Sequence, residues 1–285
     1  MISVIIGTYN QKDTLKIVLE SLLAQSLSPQ EYEIIVVDSS STDGTEEIVK
    51  GLKVRYLRVP NQGKAAARNQ GVKAAQGDII LFTDADMIAQ PRLLEEHLAT
   101  HKKHSDVSVE GLTLNLKEKI SPYNLSPDHP TCHPYIKGRI KPFKKLKWSY
   151  FLSGNLSLRK KDFVKAGGFD EKFSGYGWED VELGYRLHKI KVPLIYNPQA
   201  INYHYHFVTP TNVKERKYNM GQSAAYFYKK HPNFTIKMFL GLNPLAMGIF
   251  KLLKKSPALL DQIKNQYLLE EYYYRLGLTE ELAKS

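Results

Sequence analysis

Short apolar runs alternate with amphipathic segments through the first hundred residues, and this alternation limits the fold more than any other feature. The runs are rich in β-branched residues and have the length of strands that are buried on both faces. They comprise Ile2–Ile6, Glu33–Val37, Val54–Val59 and Asp78–Phe82. Because strands and helices alternate, we predict an α/β fold with a doubly wound, mostly parallel sheet and helices on both faces.

Helices are predicted between and after these strands. Asn10 or Asp13 can cap the first helix, which carries an apolar stripe. Gly77 is a normal stop for an alanine-rich helix, and Pro91 suits the first turn of another. The predicted helices lie around 15–22, at Lys64–Gln76, from Pro91 to about His104, at Lys161–Ala166 and from near Trp178 onward.

The composition changes after about Thr209, where only helical patterns remain. Residues 117–147 lack periodicity and contain five prolines, so we predict a long loop there that acts as a mobile lid. We therefore divide the chain into an α/β domain over 1–209, with segments 1–110, 117–147 and 148–209, and a helical extension over 210–285. Its predicted helices are Val213–Lys230, Thr235–Lys255 and Pro257–Leu276.

An acidic pair, Asp84-Ala85-Asp86, directly follows the strand that ends at Phe82. Two residues separated by one on an extended chain point to the same side, so both carboxylates can share one hard divalent cation that holds a diphosphate. The alternative is an ordinary polar strand end. Ligands collect at the carboxyl ends of parallel strands, and the other predicted strand ends carry Thr8, Tyr9, Asn10 and Asp38.

A second acidic pair, Glu179-Asp180, follows the glycine- and aromatic-rich segment Gly175–Trp178. Glycine lets the backbone approach a ligand closely, aromatic rings can stack on sugar faces, and the carboxylates can supply the base of a transfer reaction. The alternative is an acidic first helical turn, which the helix dipole alone would favour.

Phosphate binding is predicted at the start of the alanine-rich helix, where Asn61 and Gly63 precede Lys64 and Arg68. Free amides at a helix N-terminus and two cations one turn apart suit a diphosphate. The alternative is a capped surface helix with two solvated cations.

His204 and His206 flank Tyr205 in a predicted strand over Ala200–Phe207, so they point to the same side. Either one can complete the coordination of a cation held by Asp86. Mixed carboxylate and imidazole ligation favours Mn²⁺ over Mg²⁺. A core or surface histidine is the alternative for each residue.

The charge balance indicates an anionic partner, because 40 Lys+Arg against 29 Asp+Glu gives a net charge of +11. Basic residues concentrate in Lys137–Phe151, which can equally be a solvated face. The single cysteine, Cys132, excludes an internal disulfide and fits a reducing compartment. We expect neither a signal peptide nor a spanning helix, and hence a cytoplasmic protein.

Ordered motifs resemble the nucleotide-sugar half of family 2 glycosyltransferases, which have the GT-A (nucleotide-diphospho-sugar transferase) fold. These motifs are Ser3–Asn10, Val36–Asp38 with Ser41–Thr45, Asn61–Asn69 and Asp84–Asp86. Later motifs are similar to the acceptor half shared by animal galactosyltransferases and the bacterial chondroitin polymerase. They are Ser153–Ser157, Gly167–Glu171 and Gly175–Asp180. The resemblance covers about residues 1–207 and excludes the C-terminal helices.

The resemblance implies roles for single residues. Asp180 would be the catalytic base and Glu179 its acceptor-binding neighbour. Asp86 would ligate the metal, with His204 favoured as the histidine ligand and Asp84 and His206 as further candidates. The nucleotide-sugar site, for UDP, would comprise Thr8, Tyr9, Asn10, Asp38, Asn61, Gly63, Lys64, Arg68, Asp84, Ala85, Asn155 and Trp178.

Two departures limit what the resemblance implies. Tyr176, Gly177 and Trp178 stand where the galactosyltransferase pattern has tryptophan followed by two glycines, so the donor sugar is not carried over. Ser39-Ser40 replace the usual asparagine or glycine after Asp38, so the selectivity for the nucleotide base is not carried over either.

The sequence thus predicts an inverting, metal-dependent glycosyltransferase that moves a sugar from UDP to a hydroxyl of a glycan or lipid-linked acceptor. A sugar nucleotidyltransferase is the alternative enzyme, although the glycine-rich, arginine-containing loop near residue 10 is missing. A polyanion-binding protein built on Lys137–Phe151 is the alternative from another class; we expect no nucleic-acid partner. The apolar C-terminal helices, with Lys254-Lys255, can lie on an anionic membrane surface, pack on the α/β domain or form a homodimer.

Overall fold

The computed structural model describes residues 1–116, 121, 125–128, 132–134, 141–173, 177–206, 213–256, 260 and 265–284. Much of the predicted lid over 117–147 lies outside these residues, as do Gly175 and Tyr176. The chain divides into two compact units. The first comprises Met1–Glu171 and Glu179–Phe207, and the second Lys172–Trp178 and Val208–Ser285.

A mixed sheet forms the centre of the first unit. Its order is β3-β2-β1-β4-β9-β6-β10-β5, with β7 paired to β6 and β8 to β10. Strands β3, β2, β1 and β4 are parallel, β9 runs antiparallel between β4 and β6, and β10 is parallel to β6. The strands are β1 Ile2–Thr8, β2 Tyr32–Asp38, β3 Arg55–Arg58, β4 Ile79–Asp84, β5 Met87–Ala89, β6 Ser108–Leu116, β7 Cys132–Pro134, β8 Lys145–Leu146, β9 Asn155–Arg159 and β10 Leu194–His204.

Helices cover both faces of the sheet in the first unit, and the described elements of the second unit are helices. Those of the first unit are α1 Lys12–Leu23, α2 Thr45–Val49, α3 Lys64–Ala74, α4 Leu93–Lys103, α5 Lys160–Lys165 and α6 Glu179–Lys189. Those of the second unit are α7 Val213–Lys230, α8 Phe234–Phe239, α9 Pro244–Lys255 and α10 Gln266–Ala283. The predicted α/β class and helical C-terminus are confirmed.

Successive side chains of β1 point to opposite faces of the sheet and contribute to two core layers. Val4 and Ile6 pack with Leu19 of α1 on one face, whereas Ile5 packs with Val72 of α3 on the other. Burying each such aliphatic side chain contributes roughly 1.5–3 kcal/mol. Both faces of β1 are therefore covered by apolar packing.

The strand register brings the predicted site residues to one edge of the sheet. Thr8 aligns with Asp38 of β2, and Gly7 aligns with Asp84 of β4. At the other end of the sheet order, His204 of β10 pairs with Met87. The site therefore lies at the carboxyl edge of β1, β2 and β4, as the sequence predicts.

Several predicted helix ends are wrong. Neither Asn10 nor Asp13 caps α1, because the backbone N–H of Lys12 donates to Asp43 Oδ2 at 2.9 Å. Helix α3 ends at Ala74, two residues before Gln76, and α4 begins after Pro91, at Leu93.

The predicted helix Thr235–Lys255 is two helices. Gly241 adopts φ +78°, a conformation that ends helices, and the Asn243 side chain then caps α9 by accepting from the Ala246 N–H at 2.9 Å. Residues 257–259 and 261–264 of the last predicted helix, Pro257–Leu276, lie outside the described residues, and the described helix runs over Gln266–Ala283.

Close glycine contacts join α7 and α10 within the second unit. A Cβ on Gly221 would lie 2.0 Å from the Tyr274 carbonyl oxygen, and one on Gly277 equally close to that of Tyr218. The two helices therefore approach at distances that only glycine permits.

Candidate active site

Arg68 joins the two acidic clusters that are far apart in sequence. Its Nη2 donates to Asp84 Oδ1 at 2.8 Å, and its Nη1 donates to Glu179 Oε1 at 3.0 Å. The guanidinium is 3% exposed and lies 5.4 Å from the ring centroid of Phe169. Because one guanidinium contacts a carboxylate from each cluster, the bridge brings the two clusters into one site.

A second cation, Lys64, begins α3 one turn before Arg68 and is exposed. The Asp84 carboxylate raises the pKa of the Lys64 ammonium. Burial raises the pKa of Asp84, but Lys64 and Arg68 outweigh it and hold that pKa below its ordinary value. Lys64 is thus available to a phosphate. Arg68 is only 3% exposed and pairs with both acidic clusters, and the phosphate contact implied for it stays a prediction.

Asp86 faces both predicted histidines. Its Oδ2 lies 3.6 Å from His204 Nε2 and 3.5 Å from His206 Nδ1. The imidazoles stack with centroids 5.6 Å apart, and His204 Nδ1 is hydrogen-bonded to Asn115 Oδ1 at 2.9 Å. Asn115 thereby fixes the ring so that Nε2 points to Asp86, an outer-shell arrangement typical of metal-binding histidines.

A divalent cation fits these residues. Asp86 Oδ1 is buried and has no hydrogen-bond partner among the described residues, so an acceptor there is unused. No group of three or more acidic, histidine or cysteine side chains within the described ranges is arranged to hold a metal unaided. Cations that act with phosphates usually take one or two carboxylates from the protein, and substrate oxygens and water complete the shell.

Asp180 lies in the first turn of α6 and is half-buried. Its Oδ1 accepts from the Val181 N–H at 2.7 Å, and its Oδ2 accepts from the Ser153 N–H at 3.4 Å. Burial raises the pKa of Asp180, Glu179 raises it further and Arg68 lowers it, with a result of about 7. A carboxylate with this pKa can take a proton near neutral pH, as a general base must.

Glu110 was missed by sequence reasoning. It lies on β6, is 2% exposed, and accepts from the Leu152 N–H through Oε2 at 3.1 Å. Burial raises its pKa well above the ordinary value, the Leu152 amide opposes this, and the negative charge of Asp180 adds to it. The available signal was a lone glutamate within the apolar run that starts at Val107, because buried acids are rare unless they have a role.

Thr8 and Tyr9 are placed to meet a ligand at the end of β1. Thr8 is buried, and its Oγ1 has no hydrogen-bond partner within the described part of the chain. Tyr9 is 50% exposed. An unused hydroxyl beside an exposed aromatic ring suits the base and ribose of a nucleotide.

Asp38 and Asn10 serve the loop structure instead. Asp38 is fully buried; Ser41 Oγ donates to its Oδ1 and Tyr56 Oη to its Oδ2, each at 2.5 Å. Asn10 Oδ1 accepts from the Thr42 N–H at 2.8 Å. Since Asp38 is fully buried, its side chain supports the loop and is closed to direct ligand contact. Asn10 is exposed, and the ligand contact implied for it stays a prediction.

Three further predicted residues differ in accessibility. Asn61 is exposed, and Gly63 adopts φ +91° immediately before α3, which favours glycine at that position. The side chain of Ala85 is 1% exposed and belongs to the core, so it can act only by positioning its two aspartate neighbours.

Asn155 is placed away from any ligand surface. It is 1% exposed, its Oδ1 is hydrogen-bonded to His97 Nε2 at 2.9 Å, and its Nδ2 donates to the Ala200 carbonyl at 2.9 Å. Burial lowers the pKa of His97 to about 4, so the pair is a neutral buried network. The donor-sugar contact implied for Asn155 is not supported.

Trp178 belongs to the second unit. Its indole N–H donates to the Met220 carbonyl at 2.9 Å, and its ring contacts those of Phe239, at 5.6 Å, and Tyr274, at 6.3 Å. Trp178 has φ +75°, an uncommon conformation for a bulky residue. The Trp178 side chain therefore packs within the helical unit, where its indole N–H already has a hydrogen-bond partner.

A cavity of about 310 Å³ lies elsewhere, beside the first residues of β6 and β10, and is lined by Ser108, Trp148 and Leu194 among others. Those strand starts are at the edge opposite to Asp84 and His204. The cavity is therefore not part of the acidic site.

The fold and the acidic edge define a class, the nucleotide-diphospho-sugar transferases with the GT-A fold. The profile of the family described as "Glycosyl transferase family 2" matches residues 3–168. A second profile, "N-terminal domain of galactosyltransferase", matches residues 136–210. The chain therefore belongs to glycosyl transferase family 2, and the resemblance found in its motifs is confirmed for both halves.

Two named relatives are similar over most of this chain. Validoxylamine A glucosyltransferase of Streptomyces hygroscopicus subsp. limoneus is 28% identical over 88% of this chain and 60% of its own length. Chondroitin synthase of Escherichia coli is 28% identical over 80% of this chain and 39% of its own length. The chain thus spans about 60% of the first of these relatives.

Among solved structures, the mannosyltransferase PcManGT from Pyrobaculum calidifontis, in complex with GDP-Man and Mn²⁺, is similar with a TM-score of 0.67. It is 18% identical, and the match covers 100% of this chain and 87% of that one. This likeness supports the fold.

Proposed function

We propose that the protein is an inverting, metal-dependent glycosyltransferase that uses a UDP-sugar. The acceptor is a hydroxyl of a glycan or lipid-linked molecule, in the synthesis of cell-surface polysaccharide or glycoconjugate. The observation that carries this proposal is the Arg68 bridge between Asp84 and Glu179, which puts the Asp-X-Asp pair and Asp180 into one site.

Asp180 acts as the base. It takes the proton of the acceptor hydroxyl while the hydroxyl oxygen bonds to the anomeric carbon, and the bond from that carbon to the diphosphate oxygen breaks on the opposite face. Its pKa of about 7 suits this step, and base assistance of this kind contributes typically about 10²–10⁴-fold.

The leaving diphosphate is met by positive charge. Asp86 and His204 would hold the cation, with Asp84 and His206 beside them, and the mixed donor set favours Mn²⁺. When bound, the cation neutralises charge that develops on the diphosphate. Lys64 adds a second positive charge at the start of α3.

UDP is proposed from the motifs at Thr8 and Tyr9, with the buried Asp38 supporting the loop beside them. The PcManGT complex contains GDP-mannose, a donor with a purine base, on a similar fold. The nucleotide base that this protein accepts therefore requires a direct test. Competition between UDP and GDP for Mn²⁺-dependent binding distinguishes the two donors.

Replacement of the metal-binding aspartate tests the proposed function. We predict that Asp86→Ala abolishes Mn²⁺-dependent UDP binding measured by calorimetry, because the unused Oδ1 and the histidine-facing Oδ2 are both lost. Asp78→Ala is the matched control, because Asp78 is exposed and immediately precedes the first residue of β4. We expect this variant to retain Mn²⁺-dependent UDP binding. Equal Mn²⁺-linked affinity in wild type and Asp86→Ala refutes the metal site.

A peripheral membrane contact is proposed for the helical unit. Leu245, Ile249 and Leu252 recur on one face of α9 and are 76%, 46% and 61% exposed. Lys251, with Lys254 and Lys255, borders this stripe. An apolar stripe flanked by lysines is typical of helices that lie on anionic lipid. No described helix is long and apolar enough to span a bilayer.

Vesicle sedimentation tests this contact. The full chain is expected to sediment with phosphatidylglycerol vesicles more than with phosphatidylcholine vesicles, and the triple change Leu245→Ser, Ile249→Ser, Leu252→Ser abolishes the difference. Val164→Ser is the control, because Val164 is 65% exposed in the first unit. Unchanged sedimentation of the triple variant refutes the contact; a dimer that the triple variant loses in light scattering shows that a second copy covers the stripe.

A further inference from the structure

The segment Leu152–Gly154 is held by two carboxyl groups from different elements. The Leu152 N–H donates to Glu110 Oε2 on β6 at 3.1 Å, and the next N–H, of Ser153, donates to Asp180 Oδ2 on α6 at 3.4 Å. The Asn155 N–H donates to the Leu152 carbonyl at 3.4 Å, so residues 152–155 form a turn. The two carboxyl groups therefore bind successive amides of this turn.

Gly154 continues the link toward the Asp-X-Asp pair. Its carbonyl accepts from Thr83 Oγ1 at 3.2 Å and from Asn202 Nδ2 at 2.7 Å. A Cβ at Gly154 would lie 2.8 Å from Met87 Cε and 3.9 Å from Asp84 Oδ2. The segment thus runs from the base Asp180 to the edge of the metal and donor site, so a shift in it displaces the base relative to that site.

We propose that Glu110 is a positioning residue of the transfer reaction. Through the Leu152 amide it fixes the segment whose Ser153 amide orients Asp180, and so it sets the distance between the base and the donor site. This inference rests on the proposed role of Asp180 as the base.

The charge state of Glu110 matters for Asp180 as much as the position of Glu110 on β6. Three groups face Asp180: Glu179 on its own helix, Arg68 from α3 and Glu110 from β6. Burial raises the pKa of Glu110 well above its ordinary value, which favours its neutral form. A neutral acid supplies an acceptor to Leu152 without placing another negative charge beside the base.

Two substitutions separate positioning from folding. Glu110→Gln keeps a neutral acceptor of the same length, so kcat and the acidic limb of the pH–rate profile stay within about twofold of wild type. Glu110→Ala removes the acceptor, and we expect kcat to fall at least tenfold with unchanged Mn²⁺-dependent UDP affinity, because small misplacements of a reacting group can cost about 10²-fold. Glu110→Asp, which shortens the reach, replaces the alanine variant if that one does not fold.

Glu96→Ala is the control, because Glu96 is a buried carboxyl on α4 that pairs with Arg92 at 2.9 Å. It leaves kcat unchanged. The inference is overturned if Glu110→Ala and Glu110→Asp keep wild-type kcat, or if Glu110→Gln moves the acidic limb to lower pH, which would mean that Glu110 is charged. Asp180→Asn in the same assay distinguishes the two proposals. Turnover by Asp180→Asn would refute the proposed function. Wild-type kcat in Glu110→Ala, together with an inactive Asp180→Asn, would refute only the positioning role of Glu110.

Discussion

At the scale of single residues, the site depends on a few long-range pairs. The acidic and basic residues of the site were recognisable as motifs in the sequence. The pairing of Arg68 with both Asp84 and Glu179 could not be predicted from them. That pairing exists only once α3 lies beside β4 and the start of α6. For the same reason Arg68 was assigned to phosphate, and Glu110, which has no motif, was not assigned at all.

The raised pKa of Asp180 leads to a pH dependence. Asp180 acts as a base only when ionised, and burial with Glu179 raises its pKa to about 7. We therefore predict that kcat/KM falls about tenfold per pH unit below about pH 7. Steady-state rates from about pH 5 to 9 measure this. A rate that stays constant down to pH 5 would mean that the base has an ordinary aspartate pKa.

At the scale of elements, strands and helices were largely readable, whereas helix ends were not. Buried β-branched runs and apolar stripes are local signals, and β1, β2, β4 and α1 followed them. The cap of α1 came from Asp43, a residue of another loop, which no local pattern identifies. Gly241 and Asn243 together could have indicated the break before α9, because both are common at helix ends.

Two helical glycines make the packing of α7 on α10 testable. Gly221→Ala places a methyl group against the Tyr274 carbonyl, so we predict that the free energy of unfolding falls by about 1–3 kcal/mol. Gly248→Ala in α9 is the matched control, because nothing lies within 4 Å of its Cβ position; it leaves stability unchanged or raises it by up to about 1 kcal/mol. Urea unfolding compares them, and equal effects would contradict close packing at Gly221.

At the scale of the whole molecule, the chain combines an α/β unit that carries the acidic site with a helical unit that carries an exposed apolar stripe. The sequence motifs identified the family because several of them occur in a fixed order. They could not identify the donor sugar or the acceptor, since those depend on side chains that meet only in the folded site. Trp178 illustrates this limit: its motif suggested a ligand role, and its side chain packs within the helical unit.

The proposed reaction requires donor binding and proton removal by different residues of one site. Asp180→Asn separates the two, and the measurement is UDP affinity with Mn²⁺ alongside sugar transfer by the same preparation. We predict affinity within about twofold of wild type and turnover lower by about 10²–10⁴-fold, because the amide cannot take the acceptor proton. Near-normal transfer by Asp180→Asn would contradict the assignment of the base, and with it the convergence of the two acidic clusters on one reaction.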